Sequence, residues 1–195
     1  MRSVQAGAIS RLNWGCGAAG EPGWINSDIK TGPGIQLPAD IREGLPVPDH
    51  TFDYAVSVHA LPEIPYPDLV PSLLELRRVL KPGGTLRLVL PDLDLGVDAY
   101  RRGDGDHFEI PDDVARAPGA KLCVQLTWFG YSRSVFTWDF TRELLERAGF
   151  ERIHRCRHGH TESPHPGITE LDNRRCESLF AEASTPRAVE HRAGP

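Results

Sequence analysis

Apolar residues in this chain come in short blocks closed by a turn residue or a carboxylate. Five blocks, near residues 10–14, 24–28, 35–38, 53–58 and 85–90, are too short for helices and predict buried strands of a parallel sheet. Between the fourth and fifth, Leu69, Leu73, Leu76 and Leu80 recur at helical spacing, and Pro82-Gly83-Gly84 stops that helix before the next strand, as a crossover requires. Leu144, Leu145, Ala148 and Phe150 mark a second helix ended by Gly149, after which Glu151 to Arg157 and Glu177 to Glu182 read as strands joined by a long loop. The links from Gly17 to Asp28 and from Asp28 to Asp40 leave no room for full crossover helices, so the first helices are expected to be shortened or missing.

Residues 1–9 and 184–195 are small, polar or proline-bearing and aperiodic, which predicts frayed tails around a single domain at 10–183. The stretch 92–135 is longer than a connection needs and mixes acids with Tyr100, His107, Trp128 and Tyr131 in a poorly periodic sequence. It is expected to be an insertion that shapes a substrate pocket; the plainer reading is a cap on the sheet edge.

At 195 residues and 39% hydrophobic content the chain has enough material for a real core without staples. A net charge of −5 argues against a nucleic-acid binder working through a broad basic field, and favours a small-molecule substrate. Cysteines at 16, 123, 156 and 176 form no C-x-x-C pair, so neither a zinc ribbon nor a disulfide framework is indicated. His154, His158, His160 and His165 lack the acids or thiols of a metal set, and no metal is expected. No run has the apolar length of a membrane span and the amino terminus shows no secretory pattern, which predicts a cytoplasmic protein without membrane contact.

The chemistry concentrates in Arg11-Leu-Asn-Trp-Gly-Cys-Gly17 and Gly23-Trp-Ile-Asn-Ser-Asp28, two strands whose ends carry a glycine turn and a carboxylate. Gly15-x-Gly17-x-x-Gly20 matches the dinucleotide fingerprint, but Pro22 and Gly23 interrupt the helix that fingerprint needs, and Asp28 follows Gly17 too closely. No helix dipole is therefore placed for a pyrophosphate, which disfavours a nicotinamide-dependent oxidoreductase. A ligand with an adenosine but no phosphate fits better. S-adenosylmethionine offers a ribose diol to Asp28 and an amino-carboxylate to the backbone of Gly15, Cys16 and Gly17.

At these residues the chain resembles the class I S-adenosylmethionine-dependent methyltransferases, in the compact subgroup that opens with Leu-Asn-x-Gly-Cys-Gly. Ala39-Asp40-Ile41 resembles the family's segment after strand three, whose Asp meets the adenine amino group; Phe52 to Leu61 resembles strand four, and Leu80 to Pro91 the turn into strand five. The resemblance runs over roughly residues 10 to 183 and implies an α/β, Rossmann-like domain: a mostly parallel sheet closed by a C-terminal antiparallel hairpin. Two departures stand out. Asn13 replaces the usual acidic residue of the first strand, and His59-Ala-Leu-Pro-Glu63 lacks the second histidine of many relatives.

The resemblance implies methyl transfer to a small-molecule acceptor such as a natural product, sugar or glycan precursor, with Gly15, Cys16, Gly17, Asp28, Asp40, Ile41 and His59 on the cofactor. The competing class is a methyltransferase-fold protein that binds the nucleoside without transferring methyl, which Asn13 and Pro62-Glu63 would permit. His59, Asp92 and His107 are the candidate bases, against plainer roles: a histidine packed on the cofactor for His59, and a helix cap for Asp92. Cys16 reads as a small filler rather than a nucleophile, and Asp172 and Asn173 as turn formers. Acceptor identity and oligomeric state stay open in the sequence.

Overall fold

The computed structural model describes residues 9–18 and 20–187. Its elements run β1 (Arg11–Trp14), β2 (Ile25–Asp28), β3 (Leu37–Pro38), β4 (Phe52–Val58), α1 (Tyr66–Val79), β5 (Leu80–Pro91), α2 (Leu93–Arg102), α3 (Pro118–Thr127), α4 (Trp138–Arg147), β6 (Glu151–Cys156) and β7 (Ser178–Ser184). They build one seven-stranded sheet in the order β3-β2-β1-β4-β5-β7-β6, parallel except that β7 is antiparallel to both its neighbours. This is the Rossmann-like arrangement with a closing antiparallel pair that the apolar blocks and the resemblance imply. Among the described residues no helix separates β1 from β2 or β2 from β3, and the one helical element before β4 is a 3-10 turn, Ile41–Glu43.

Helix α1 stops one residue earlier than its leucine spacing predicts. Leu80 is extended (φ −80°, ψ 140°) and pairs with Phe52, so it opens β5 instead of closing the helix. The pairing then slips before Thr85 meets Tyr54, across the Pro82-Gly83-Gly84 segment. Gly84 is required there, because a Cβ would stand 2.8 Å from the Lys81 carbonyl oxygen and 3.0 Å from that of Asp53. At the other end β7 runs through Ser184, and the buried Thr185 donates its hydroxyl to the Lys81 carbonyl at 2.6 Å. The remaining tail expectations, at 1–8 and 188–195, lie outside the described residues.

Alternation along β5 divides the core. Leu86, Leu88 and Leu90 face Leu69, Leu73, Leu76 and Val79 of α1 and Leu144 and Leu145 of α4, in one continuous apolar cluster. The opposite face carries Arg87, whose side chain is 0% exposed. Its guanidinium forks onto Asp172 (2.7 and 2.6 Å) and reaches Glu182 on β7 at 2.6 Å. Asp172 closes a turn through its N–H on the Thr169 carbonyl, as expected, and its side chain is in addition a buried ion partner that through Arg87 fastens the 157–172 loop over this face, where the loop's 3-10 turn Pro166–Thr169 packs. The stretch 92–135 is more ordered than its poor periodicity suggests, folding into α2, α3 and a turn at Trp128–Gly130.

Candidate functional site

Strand order reverses between β1 and β4, and a cleft of about 500 Å³ opens at their carboxyl ends, within the range of small-ligand sites. One wall is the turn after β1. Gly15 and Gly17 both have positive φ, 69° and 73°, but for different reasons. A Cβ on Gly15 would lie 2.0 Å from the Ala60 Cβ, so this glycine lets β1 and β4 close on each other; at Gly17 the corresponding space is open.

The turn's donors are consumed within the protein. Gly15 and Cys16 N–H groups both donate to the Ser27 carbonyl, at 2.8 and 3.1 Å, and Gly17 N–H donates to Asp28 Oδ2 at 2.9 Å. A ligand carboxylate would therefore find no free N–H among these three, and the cationic side chains on the cleft wall are Lys30, Arg42, Arg133 and Arg174. Burial and the Asp28 charge raise the Cys16 thiol's pKa, which keeps it protonated and unreactive. Asn13 is buried and donates to Asn26 Oδ1 at 3.0 Å, beneath the turn and not on the cleft wall.

Asp28 lines the cleft with Oδ1 accepting from Lys30 N–H at 2.9 Å. Each oxygen has used one lone-pair direction, leaving capacity for a vicinal diol. Asp40, Ile41 and Arg42 form the next stretch of wall. Asp40 caps the 3-10 turn through Arg42 N–H and is clamped by the Arg42 guanidinium, which lowers its pKa. A ligand amine at Asp40 would share that carboxylate with Arg42.

His59 follows β4 in a left-handed conformation, φ 53°, held by its N–H to the Val89 carbonyl (2.9 Å) and its ring Nε2 to Ser178 Oγ (2.8 Å). Burial, and secondarily the Arg174 cation, brings its pKa down to about 3. The imidazole is neutral near pH 7 and has little affinity for another proton. The other two candidate bases lie off the cleft wall. Asp92 caps α2 by accepting Asp94 N–H at 3.0 Å, pairs with Arg155 at 2.7 Å, and faces a small apolar recess with Leu93, Leu122 and Phe136. His107 packs edge-on against Phe108, with its Nε2 buried and unpartnered.

Apart from Trp128, the far end of the cleft is built by residues that sequence reading did not select. Glu177, 3% exposed, accepts from Arg174 at 2.9 Å and from Gln125 Nε2 at 3.4 Å. Arg174 lies over the Trp128 ring at 5.2 Å, and the buried Gln125 Oε1 on the cleft wall has no partner. Gln125 and Trp128 come from the 92–135 stretch, which docks back through Arg133 and Ser134 N–H groups on the Pro62 carbonyl. Arg174 and Glu177 are an opposite-charge pair three residues apart, the one local signal available; only the insertion of β7 beside β5 carries them to the cleft.

The sequence matches the methyltransferase domain family over residues 24–88. A 60-residue segment is 50% identical to the probable methyltransferase ltbC of Aspergillus luteorubrus, covering 29% of this chain and 21% of that protein. Demethylmenaquinone methyltransferase of Lysinibacillus sphaericus is 30% identical over 122 residues, 62% of this chain and 51% of the relative. The matches thus span between a fifth and a half of these relatives' length. Among solved structures, an S-adenosylmethionine-dependent methyltransferase from Thermotoga maritima superposes with a TM-score of 0.59 at 17% identity, over 90% of this chain and 82% of its own. The chain thus has the fold of the S-adenosylmethionine-dependent methyltransferase it superposes on, and a third of its length matches the methyltransferase domain family.

Proposed function

We propose that this domain transfers the methyl group of S-adenosylmethionine to a small-molecule acceptor. The observation that carries the reading is a cleft with two chemically different ends: the Asp28 and Asp40 carboxylates beside the glycine turn, and the Gln125, Trp128, Arg174 and Glu177 cluster beyond His59. The first end suits a nucleoside, with Asp28 on the ribose diol and the Ala39 to Arg42 wall beside the base. The fit is supported by the unused lone pairs of Asp28 and by a cleft volume suited to a nucleoside with an acceptor beside it.

When bound, the cofactor supplies a methyl group made electrophilic by its sulfonium. The protein's task is then to hold an acceptor in line with that methyl and exclude water. Gln125 Oε1 would accept a hydrogen bond from the acceptor, while Trp128 and the Pro62 and Pro91 rings flank it. An acceptor held there would present its lone pair toward the methyl group, and these residues would leave its proton a path to a base or to water. His59, neutral and weakly basic, orients through hydrogen bonding instead of taking that proton. Glu177 is the buried carboxylate at this end and is the better candidate to receive it.

The relatives act on a menaquinone precursor in one case, and this chain spans half of that protein. A natural product, sugar or glycan precursor remains the acceptor class in view. One specific observation favours the second reading, a nucleoside binder without transfer: Asn13, standing where relatives carry an acid, is turned to Asn26. Calorimetric titration with S-adenosylmethionine, followed by release of S-adenosylhomocysteine across an acceptor panel, tests both. Binding with turnover supports the enzyme; tight binding without turnover on any acceptor supports the binder; no binding overturns both.

A further inference from the structure

Two strands out from the cleft, on the same rim of the sheet, lies a groove of about 400 Å³ with no acidic side chain on its wall. Arg155, Arg157, His158, His160, Arg175 and Ser178 line it. In a chain with 27 acids against 22 Lys and Arg, this is a local reversal of charge. Arg155 is already paired with Asp92. Arg157 and Arg175 are exposed, and among the described residues neither has a carboxylate within 4.0 Å.

The loop carrying Arg157, His158 and His160 is fixed from beneath. Arg87 donates to the Arg157 and His160 carbonyls at 3.4 and 3.1 Å, Asp172 accepts from Gly159 N–H at 2.7 Å, and His158 rests edge-on against Phe180 with ring centroids 5.6 Å apart. A loop held in this way presents its cations at little ordering cost. Guanidinium forks from two directions match the oxygens of a phosphate better than a point charge would.

Groove and cleft are joined by one short segment. Arg174 lines the cleft and Arg175 the groove; Ser178 lines the groove and bonds His59, which lines the cleft. With strands about 4.8 Å apart, the groove lies roughly 10 Å from the end of β4, within reach of a single small molecule. We propose that the groove binds the phosphate of an acceptor whose methylated end occupies the Gln125–Glu177 end of the cleft. The inference rests on the methyl-transfer reading of that cleft.

The test follows the His158 and His160 ring signals and the Trp128 indole N–H by NMR. Wild type and the Arg157→Gln/Arg175→Gln variant are titrated with inorganic phosphate and with 2-naphthyl phosphate, in the presence of S-adenosylhomocysteine. Inorganic phosphate should move the two histidines saturably, with affinity at least about fivefold weaker in the variant, as expected when charge-assisted bonds are lost. The naphthyl ester should bind more tightly than inorganic phosphate and also move Trp128. Unsaturable shifts, or equal shifts in wild type and variant, overturn the anion site. A naphthyl ester that binds no more tightly and leaves Trp128 unmoved overturns the acceptor assignment and leaves a free-anion site. Calorimetry with S-adenosylhomocysteine on both proteins keeps the cases apart: equal affinity is expected, and absence of binding in wild type defeats the cleft reading itself.

Discussion

The Asp28 carboxylate holds the turn it faces: its Oδ2 accepts from Gly17 N–H at 2.9 Å while its Oδ1 accepts from Lys30 N–H at the same distance. One side chain therefore shapes the glycine turn and offers its remaining lone pairs to the cleft. Asp28→Ala should weaken S-adenosylmethionine binding by roughly 1 to 3 kcal/mol, through a lost charged acceptor and a loosened turn. Asp28→Asn keeps one carbonyl oxygen and should fall between. Calorimetry with a parallel melting curve checks this; wild-type affinity in a folded Ala variant removes Asp28 from the ribose.

Gly15 and Gly17 separate two reasons for glycine. At Gly15 a Cβ would meet the Ala60 Cβ at 2.0 Å, so Gly15→Ala must push β1 from the loop after β4 and should lower the melting temperature sharply. At Gly17 the space is open, and Gly17→Ala carries only the left-handed backbone cost of about 1 kcal/mol. It should fold, and any loss of cofactor affinity then reports on the cleft alone. Equal melting temperatures in the two variants would refute the packing role of Gly15.

Strand existence was legible because β1, β2, β4 and β5 are short apolar runs that end on turn residues, and the missing early helices followed from link lengths. The Asp28 end of the cleft was legible for the same reason: Gly15, Gly17, Asp28 and Asp40 sit at strand ends, where local sequence determines geometry. Arg87 was not, since a cation in a strand reads as a solvent-facing residue until the 157–172 loop closes over it with Asp172. Gln125, Arg174 and Glu177 were missed because they meet only when α3 and β7 are folded beside β5. Asp92 follows the plainer of its two readings: a carboxylate at a strand end that caps the next helix, with an ion partner in Arg155 that the local sequence does not signal.

His59 should make the fold acid-sensitive. Its pKa is about 3 in the folded protein and near 6.5 when unfolded, so between these values the unfolded chain binds the extra proton and stability falls as pH falls. From pH 7 to pH 5 this amounts to about 2 kcal/mol. Asp40, Asp53 and Glu75, all lowered, add to acid loss mainly at lower pH, and Asp92, raised by burial, works in the opposite sense. His59→Asn tolerates the left-handed backbone and carries no titrating ring. Urea unfolding at pH 7 and pH 5 should show the difference in wild type and its near absence in the variant; identical slopes would mean His59 is solvated.

Acceptor handling should trace to the far end of the cleft and not to the exposed part of the 92–135 stretch. Gln125→Leu removes the unpaired Oε1 and also the donor to Glu177, while Glu177→Gln keeps the shape and removes the charge. Both should lower methyl transfer, by about 10- to 1000-fold for a lost positioning or proton-accepting group, with S-adenosylmethionine affinity within about threefold of wild type. Tyr131, 61% exposed and off the cleft wall, should be replaceable by Ala without effect on either. His107→Ala tests the remaining base candidate: from its place against Phe108 it is expected to alter stability more than turnover. Measuring affinity by calorimetry and turnover by S-adenosylhomocysteine release on one set of variants separates the cases. Parallel loss of binding and turnover in Gln125→Leu and Glu177→Gln would make this cluster part of the cofactor site, and a turnover loss confined to His107→Ala would return the proton transfer to the 92–135 stretch.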